Sequence, residues 1–183
     1  VQRLAGLHRQ VPRGRRAPPG ESGQWLWLVR PTGWKWVGWL MRLATADDMP
    51  AILDMGERFH AFSGDQVPYC RASAEATVAA LLGFGFVLLA EADGVPVGMI
   101  GVAVTPLLFN AAHLFAQELM WWVDEGQRGG VAVAMIREAE AEARRRGAVR
   151  MQMIALAQSP AHVERLYGLL GYRAGEASFV KEL

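Results

Sequence analysis

The stretch Leu119-Met120-Trp121-Trp122-Val123-Asp124-Glu125-Gly126-Gln127-Arg128-Gly129-Gly130-Val131-Ala132-Val133 changes character halfway along. Its first five residues are apolar and extend a run that predicts a strand over 115–123. Its end opens a helix, since Ala132, Met135, Ile136, Ala139 and Ala143 form one apolar stripe as far as about Arg146. Between them lies Gly126-Gln127-Arg128-Gly129-Gly130, where missing side chains let a ligand approach the backbone. The unpaired amides of the helix's first turn point at that ligand, and the helix dipole favours an anion such as a diphosphate. The other reading of Gly129-Gly130 is an ordinary strand-to-helix turn. Neither GxxxxGK[ST] nor GxGxxG is present, so the loop is not a mononucleotide P-loop or a dinucleotide fingerprint.

Working outward, residues 41–45 predict a short strand, and Thr45 or Asp47 caps a helix to about Phe62. A polar loop leads to a second helix, begun by Ser73 and ended by Gly83 and Gly85. Residues 86–92 and 95–105 are strands joined by Asp93-Gly94, a strong hairpin signal, and Pro106 stops the second. Beyond the central helix, 149–157 predict a strand and Ser159-Pro160 open a last helix stopped by Gly171. Residues 172–183 predict a closing strand or strands. The order is that of a single-domain mixed α/β fold.

The chain has 183 residues, enough for one domain with a real core, and 52% are hydrophobic, which excludes a disordered chain. One cysteine, Cys70, excludes an internal disulfide framework and a cysteine-rich zinc cluster. The histidines at 8, 60, 113 and 162 lack metal-ligand spacing, so no metal is expected. The net charge of +1 conceals an asymmetry, because residues 1–40 carry seven Lys/Arg against Glu21 alone. Five of seven tryptophans also lie there, at 25, 27, 34, 36 and 39. Residues 1–40 therefore read as a basic, Trp-rich, poorly ordered extension to a domain spanning 41–183. An arm binding nucleic acid and an interfacial anchor are its rival readings. Apolar runs too short for a membrane span point to a soluble, cytoplasmic protein.

The residues Gln127-Arg128-Gly129-Gly130-Val131-Ala132 match the pattern Q/R-x-x-G-x-G/A, and Met135-Ile136 follow it. Later, Leu166-Tyr167-Gly168-Leu169-Leu170-Gly171-Tyr172 match L-Y-x-x-x-G-F/Y. Together these resemble the GNAT N-acetyltransferase superfamily over about 41–183. The resemblance implies a mostly antiparallel mixed sheet flanked by helices on both faces. It implies that the backbones of Arg128, Gly129, Gly130, Val131, Ala132 and Val133, with Gln127 opening the motif, bind the diphosphate of acetyl-CoA. Trp122 and Val123 would border the pantetheine arm, although strand tryptophans such as Trp121 and Trp122 are commonly core or groove wall. Pro160 stands where the family often has an asparagine, leaving Gln158 or Ser159 to supply a polar contact.

Acetylating an amine needs its neutral form, and for a lysine-like amine at pH 7 that deficit is roughly 4–5 kcal/mol. A base is useful at that size, and an acid can protonate the departing thiolate. Tyr167 is the candidate acid by its place in the late motif, its alternative being a core tyrosine. Glu118 is the candidate base, a lone carboxylate in an apolar strand, its alternative being a salt bridge or an edge position. Ser159, His162 and Glu164 are weaker candidates, His60 and His113 read as loop or helix-end residues, and Cys70 lacks an activating partner. Asp65, in the loop walling the acceptor side, could attract a cationic amine.

The expectation is an acetyl-CoA-dependent N-acetyltransferase working by direct transfer to a small-molecule or protein amine, without a metal. Its rival is a non-catalytic acyl-CoA-binding sensor or scaffold, which shares the loop but needs neither Tyr167 nor Glu118. No nucleic acid or membrane partner is expected for the domain. A homodimer through the C-terminal strand is compatible with the pattern.

Overall fold

The computed structural model describes residues 25–28 and 37–181. The expectation of a poorly ordered leader falls, for 1–24 and 29–36, outside the described residues. Six strands form one sheet in sequential order: β1 (Trp25–Leu28), β2 (Val37–Leu43), β3 (Gly85–Ala92), β4 (Val95–Leu107), β5 (Asn110–Val123) and β6 (Ala148–Gln152). Neighbours are antiparallel except β5 and β6, which are parallel and joined through a crossover helix.

That crossover is α3 (Gly130–Arg145), which covers one face of the sheet, while α1 (Met49–Ser63) and α2 (Arg71–Phe84) cover the other. Strand β3 shows why its sequence is continuously apolar rather than alternating. Val87 and Leu89 pack with Ile52, Met55, Val78 and Leu81 from α1 and α2. Phe86, Leu88 and Ala90 pack with Val131, Met135 and Ala139 of α3. A strand buried on both faces needs apolar residues at every position. The helices therefore flank both faces, and α4 (His162–Leu169) follows β6.

Local signals placed most elements. Asp93 and Gly94 both have positive φ, 52° and 78°, as a two-residue hairpin turn matching strand twist requires. Thr45 precedes a single 3-10 turn, Ala46–Asp48, and its amide donates to the Asp48 carboxylate at 2.7 Å before α1 begins. Gly64, left-handed at φ 71°, ends α1.

Several boundaries differ from the sequence reading. The strand expected at 41–45 begins at Val37, since its apolar register continues backwards to pair with β1. Helix α2 starts at Arg71, ahead of Ser73, with Cys70 at its cap position. Strand β4 runs through Pro106, and β5 starts at Asn110 rather than Phe115. His113 consequently lies in a strand, not in a loop or helix end. Strand β6 stops at Gln152, five residues short of the expected 157. Residues 172–181 form no strand, so the expected closing strand is absent from them, and 182–183 lie outside the described residues. Gly175 and the polar Arg173, Glu176 and Ser178 leave that segment too little apolar face to bury.

Candidate functional site

The site begins where β5 loses one neighbour. Strand β5 pairs with β6 only from Leu114 to Gln117, yet it runs on to Val123 beside β4. Within that run Met120 lies opposite Gly101 and Glu118 opposite Val102, so Leu119 is an extra residue. Such a bulge bends the strand locally. Beyond Gln152 the chain leaves the sheet, and the β6 side of residues 118–123 has no strand partner among the described residues.

Glu118 lies at the mouth of this opening. It is 4% exposed, and its Oε2 accepts the backbone amide of Ile154 at 2.9 Å. Burial pushes its carboxyl up to about 7, with the Ile154 amide working in the opposite direction. No ion pair reaches it among the described residues, which removes the salt-bridge reading. The Tyr167 hydroxyl donates to the Ile154 carbonyl at 3.0 Å from α4. Its pKa is raised above the usual phenol value, first by burial and then by the charge of Glu118, so it stays protonated. The structure thus brings the two expected proton handlers to one backbone residue. Trp121 flanks Tyr167 at 6.1 Å between ring centroids, and Tyr172 lies on it at 5.8 Å. Among the described residues, the buried Trp121 Nε1 and Tyr172 hydroxyl have no hydrogen-bond partner.

The glycine loop follows directly. After Asp124 a 3-10 turn, Glu125–Gln127, leads through Arg128 to Gly129, whose φ of 118° and ψ of −119° suit glycine alone. A Cβ built at Gly126 or Gly129 meets nothing within 4 Å. Among the described residues no side chain caps α3, so its leading amides keep no capping partner. The Ala132 amide already donates to the Gly129 carbonyl at 3.0 Å, which leaves the amides before it as the donors for a ligand. Val131 is fully buried and would act through its backbone, whereas Ala132 and Val133, half-buried, lie past the free amides of the first turn and are not brought to the ligand as expected. The open ground and uncapped helix end fit a diphosphate.

Side chains of the loop turn back onto the protein. Gln127 Oε1 accepts the Trp39 indole N–H at 3.4 Å. Arg128 Nε donates to the Val123 carbonyl at 3.1 Å, and the guanidinium lies 5.2 Å from the Trp122 ring centre. Trp122 itself is buried between β5 and α1, edge-on to Phe62, and Val123 is buried on the α3 side. The side chain of Trp122 is therefore core, as strand tryptophans commonly are, and so is that of Val123, while both backbones lie on the stretch of β5 beyond its pairing with β6.

Weaker candidates have other partners. His60 Nε2 bonds to the Val67 carbonyl, and Asp65 accepts the Val67 amide, closing its own loop. The Gln158 side-chain amide reaches the Ser63 carbonyl, and Ser159 Oγ accepts the Leu156 amide. The Gln158 contact ties the end of α1 to the loop before α4, and the Ser159 contact closes that loop on itself. Cys70 is exposed and takes a hydrogen bond from Ser73. A cavity of about 350 Å³ lies against α1, lined by Asp54, Glu57, Arg58 and Ala61, and includes neither Glu118 nor the glycines. Among the described residues there is no cluster of three potential metal ligands and no helix long and apolar enough to cross a membrane.

The sequence reading missed three contributors. Ile154 acts through its backbone, which no residue type announces. The bulge at Leu119 leaves no mark in a run of apolar residues. Asp124, which ends β5, had a signal in the acid directly after an apolar strand.

Comparison with known proteins bears on this geometry. A family model described as "Acetyltransferase (GNAT) family" matches residues 56–172. No curated protein matches the chain. Among solved structures, a "predicted acetyltransferase with acetyl-CoA" from Clostridium acetobutylicum is 14% identical, with TM-score 0.66 over 79% of this chain and 96% of that one. The ribosomal-protein-alanine N-acetyltransferase of Brucella melitensis biovar Abortus 2308 is 18% identical, with TM-score 0.63 over 79% and 99%. An aminoglycoside acetyltransferase from an uncultured soil metagenomic sample is 15% identical, with TM-score 0.66 over 79% and 96%. At these identities the structures establish a shared fold.

Proposed function

The chain belongs to the GNAT family of acetyltransferases, and from that premise we propose that it transfers acetyl from acetyl-CoA to a primary amine by direct transfer. Acetyl-CoA would supply the activated thioester. The backbones of Arg128, Gly129, Gly130 and Val131 would hold its diphosphate, and the unpaired edge of Trp122 and Val123 would border its pantetheine arm.

Glu118 takes the ammonium proton of the acceptor, directly or through water. A carboxyl near 7 is matched to this task, because it is part-ionised at neutral pH yet basic enough to accept a proton. Tyr167 is the proton donor toward the sulfur side, being protonated throughout the neutral range. Amides at the opening polarise the carbonyl under attack. The observation that carries this reading is the buried, ionisable Glu118 where β5 loses its β6 neighbour, together with the uncapped helix behind Gly129.

One observation favours a non-catalytic acyl-CoA-binding role. Both Glu118 and Tyr167 already bond to Ile154, which is what purely structural groups would do. The two readings separate in one experiment. Acetyl-CoA is titrated calorimetrically into the protein, and an amine panel is followed by release of free thiol. Binding with amine-dependent thiol release supports the transferase, binding without turnover supports the sensor, and no binding overturns both.

A further inference from the structure

We infer that Arg58 and Asp124 form a positioning pair that sets the anion affinity of the glycine loop, an inference resting on the acetyl-CoA reading above. Asp124 sits where β5 ends and the loop begins. Its amide donates to the Val97 carbonyl at 2.9 Å, and its own carbonyl accepts the Gln127 amide at 2.8 Å. The residue therefore fixes the first turn of the loop onto β4. Its carboxylate makes two further attachments. Trp122 Nε1 donates to Oδ1 at 2.7 Å, and Arg58 Nε, from α1, donates to the same oxygen at 3.1 Å. Trp122 in turn carries the Arg128 guanidinium on its ring face. Helix α1, the end of β5 and the glycine loop are thus joined through one carboxylate.

That carboxylate has the wrong charge for its location. A negative group at the foot of an anion-binding loop opposes the anion unless it is neutralised, and the opposition acts over several ångströms at a protein surface. Arg58 is the one cation within ion-pair distance of Asp124 among the described residues. Arg128 pairs instead with Glu125, at 3.7 Å, and makes no ion pair with Asp124 among the described residues. Arg58 therefore masks Asp124 as well as tethering it. Removing Arg58 exposes the charge, and removing the charge as well cancels the effect.

The test uses the full chain, with acetyl-CoA and CoA as the titrants. Asp124→Asn keeps an oxygen acceptor for the Trp122 indole while deleting the charge. Arg58→Gln is expected to weaken acetyl-CoA binding about fivefold, raising KM in proportion while kcat changes less than about twofold. Adding Asp124→Asn to Arg58→Gln is expected to restore affinity to within about twofold, and high salt is expected to shrink the single-variant loss. A simple tether predicts the reverse, with the double variant as weak as the single or weaker. The pair is partly exposed, at 46% and 34% of the side chains, so thermal midpoints are expected to stay near that of the unaltered protein. If Arg58→Gln lowers the midpoint, Arg58→Lys supplies the charge alone and is expected to retain affinity. Unweakened binding by Arg58→Gln, failure of the double variant to recover, or lost affinity in Arg58→Lys overturns the inference. In each of those cases binding by the unaltered chain leaves the acetyl-CoA reading standing. No binding by the unaltered chain overturns both together.

Discussion

Glu118 and Tyr167 hold the two peptide groups of a single residue, Glu118 accepting the Ile154 amide at 2.9 Å and Tyr167 donating to the Ile154 carbonyl at 3.0 Å. Ile154 lies just past the last paired residue of β6, where the chain turns away from β5. The groups proposed to move protons are therefore also the groups that pin the edge of the opening. Chemistry and architecture share one support, and variants at either residue need readouts that separate the two.

Glu118→Gln is expected to lower turnover and raise stability at alkaline pH. The folded-state pKa is raised to about 7 from 4.5, so the folded protein binds this proton more tightly than the unfolded chain. Ionisation then costs the native state increasingly as pH rises from about 4.5 through 7, reaching on the order of 3–4 kcal/mol above that. Glutamine remains neutral and can still accept the Ile154 amide. Thermal melts at pH 8 are expected to favour the variant, and melts at pH 4.5 to show no such gain. The rise in kcat/KM of the unaltered enzyme through pH 7 is expected to disappear in the variant, leaving only the titration of the acceptor amine. An unchanged pH profile would remove Glu118 from the proton path.

Tyr167→Phe is expected to reduce turnover by about two orders of magnitude, the size of a lost general acid, with little change in acetyl-CoA affinity. The Ile154 carbonyl also loses its donor, which costs about 1–2 kcal/mol of stability. Because the phenol pKa lies above its ordinary range, no alkaline loss of activity below pH 9 is expected from this residue. Turnover equal to that of the unaltered protein, alongside a lowered melting midpoint, would leave Tyr167 as a strut alone.

The parts of the site that were legible in the sequence are those written in residue type. The glycines of the loop and the lone acid in β5 stand out because their chemistry is unusual for their element, and the tyrosine of α4 stands out by its place in the late motif. The parts that were not legible are relational. A bulge adds one residue to an apolar strand without changing its composition, and Ile154 contributes only a peptide group. Val37–Leu40 of β2 were counted with a basic leader because charge in neighbouring residues outweighed a short apolar register. Residues 172–183 were read as a closing strand or strands, but a strand forms only where a neighbouring edge and a buried face are available.

Gly129 and Gly130 are expected to respond differently to substitution. Gly129 has a backbone conformation other residues avoid, so Gly129→Ala is expected to cost about 1–3 kcal/mol by strain, although space for a methyl is present. Gly130 begins the helix with ordinary geometry, so Gly130→Glu is expected to fold. Its side chain and negative charge then stand against the diphosphate, and calorimetric binding of acetyl-CoA is expected to vanish. Unaltered affinity in a folded Gly130→Glu protein would remove the loop from the binding site.

Deleting Leu119 is expected to preserve the core and abolish acetyl-CoA binding. Val102 and Glu118 lie opposite one another, and so do Gly101 and Met120, so Leu119 is surplus to the ladder. Its removal leaves side-chain facing intact on both flanks. Ala116, Trp121 and Val123 still face α3, while Met120 and Trp122 still face α1 and α2. Leu119 is itself 43% exposed, so little apolar burial is lost. What disappears is the bend that turns 118–123 away from the continuation of β6. The deletion variant is expected to keep its circular dichroism spectrum and to melt within about 2 kcal/mol of the parent stability, with acetyl-CoA affinity reduced below calorimetric detection. Full affinity in a folded deletion variant would show that the unpaired length of β5, and not its bend, makes the opening.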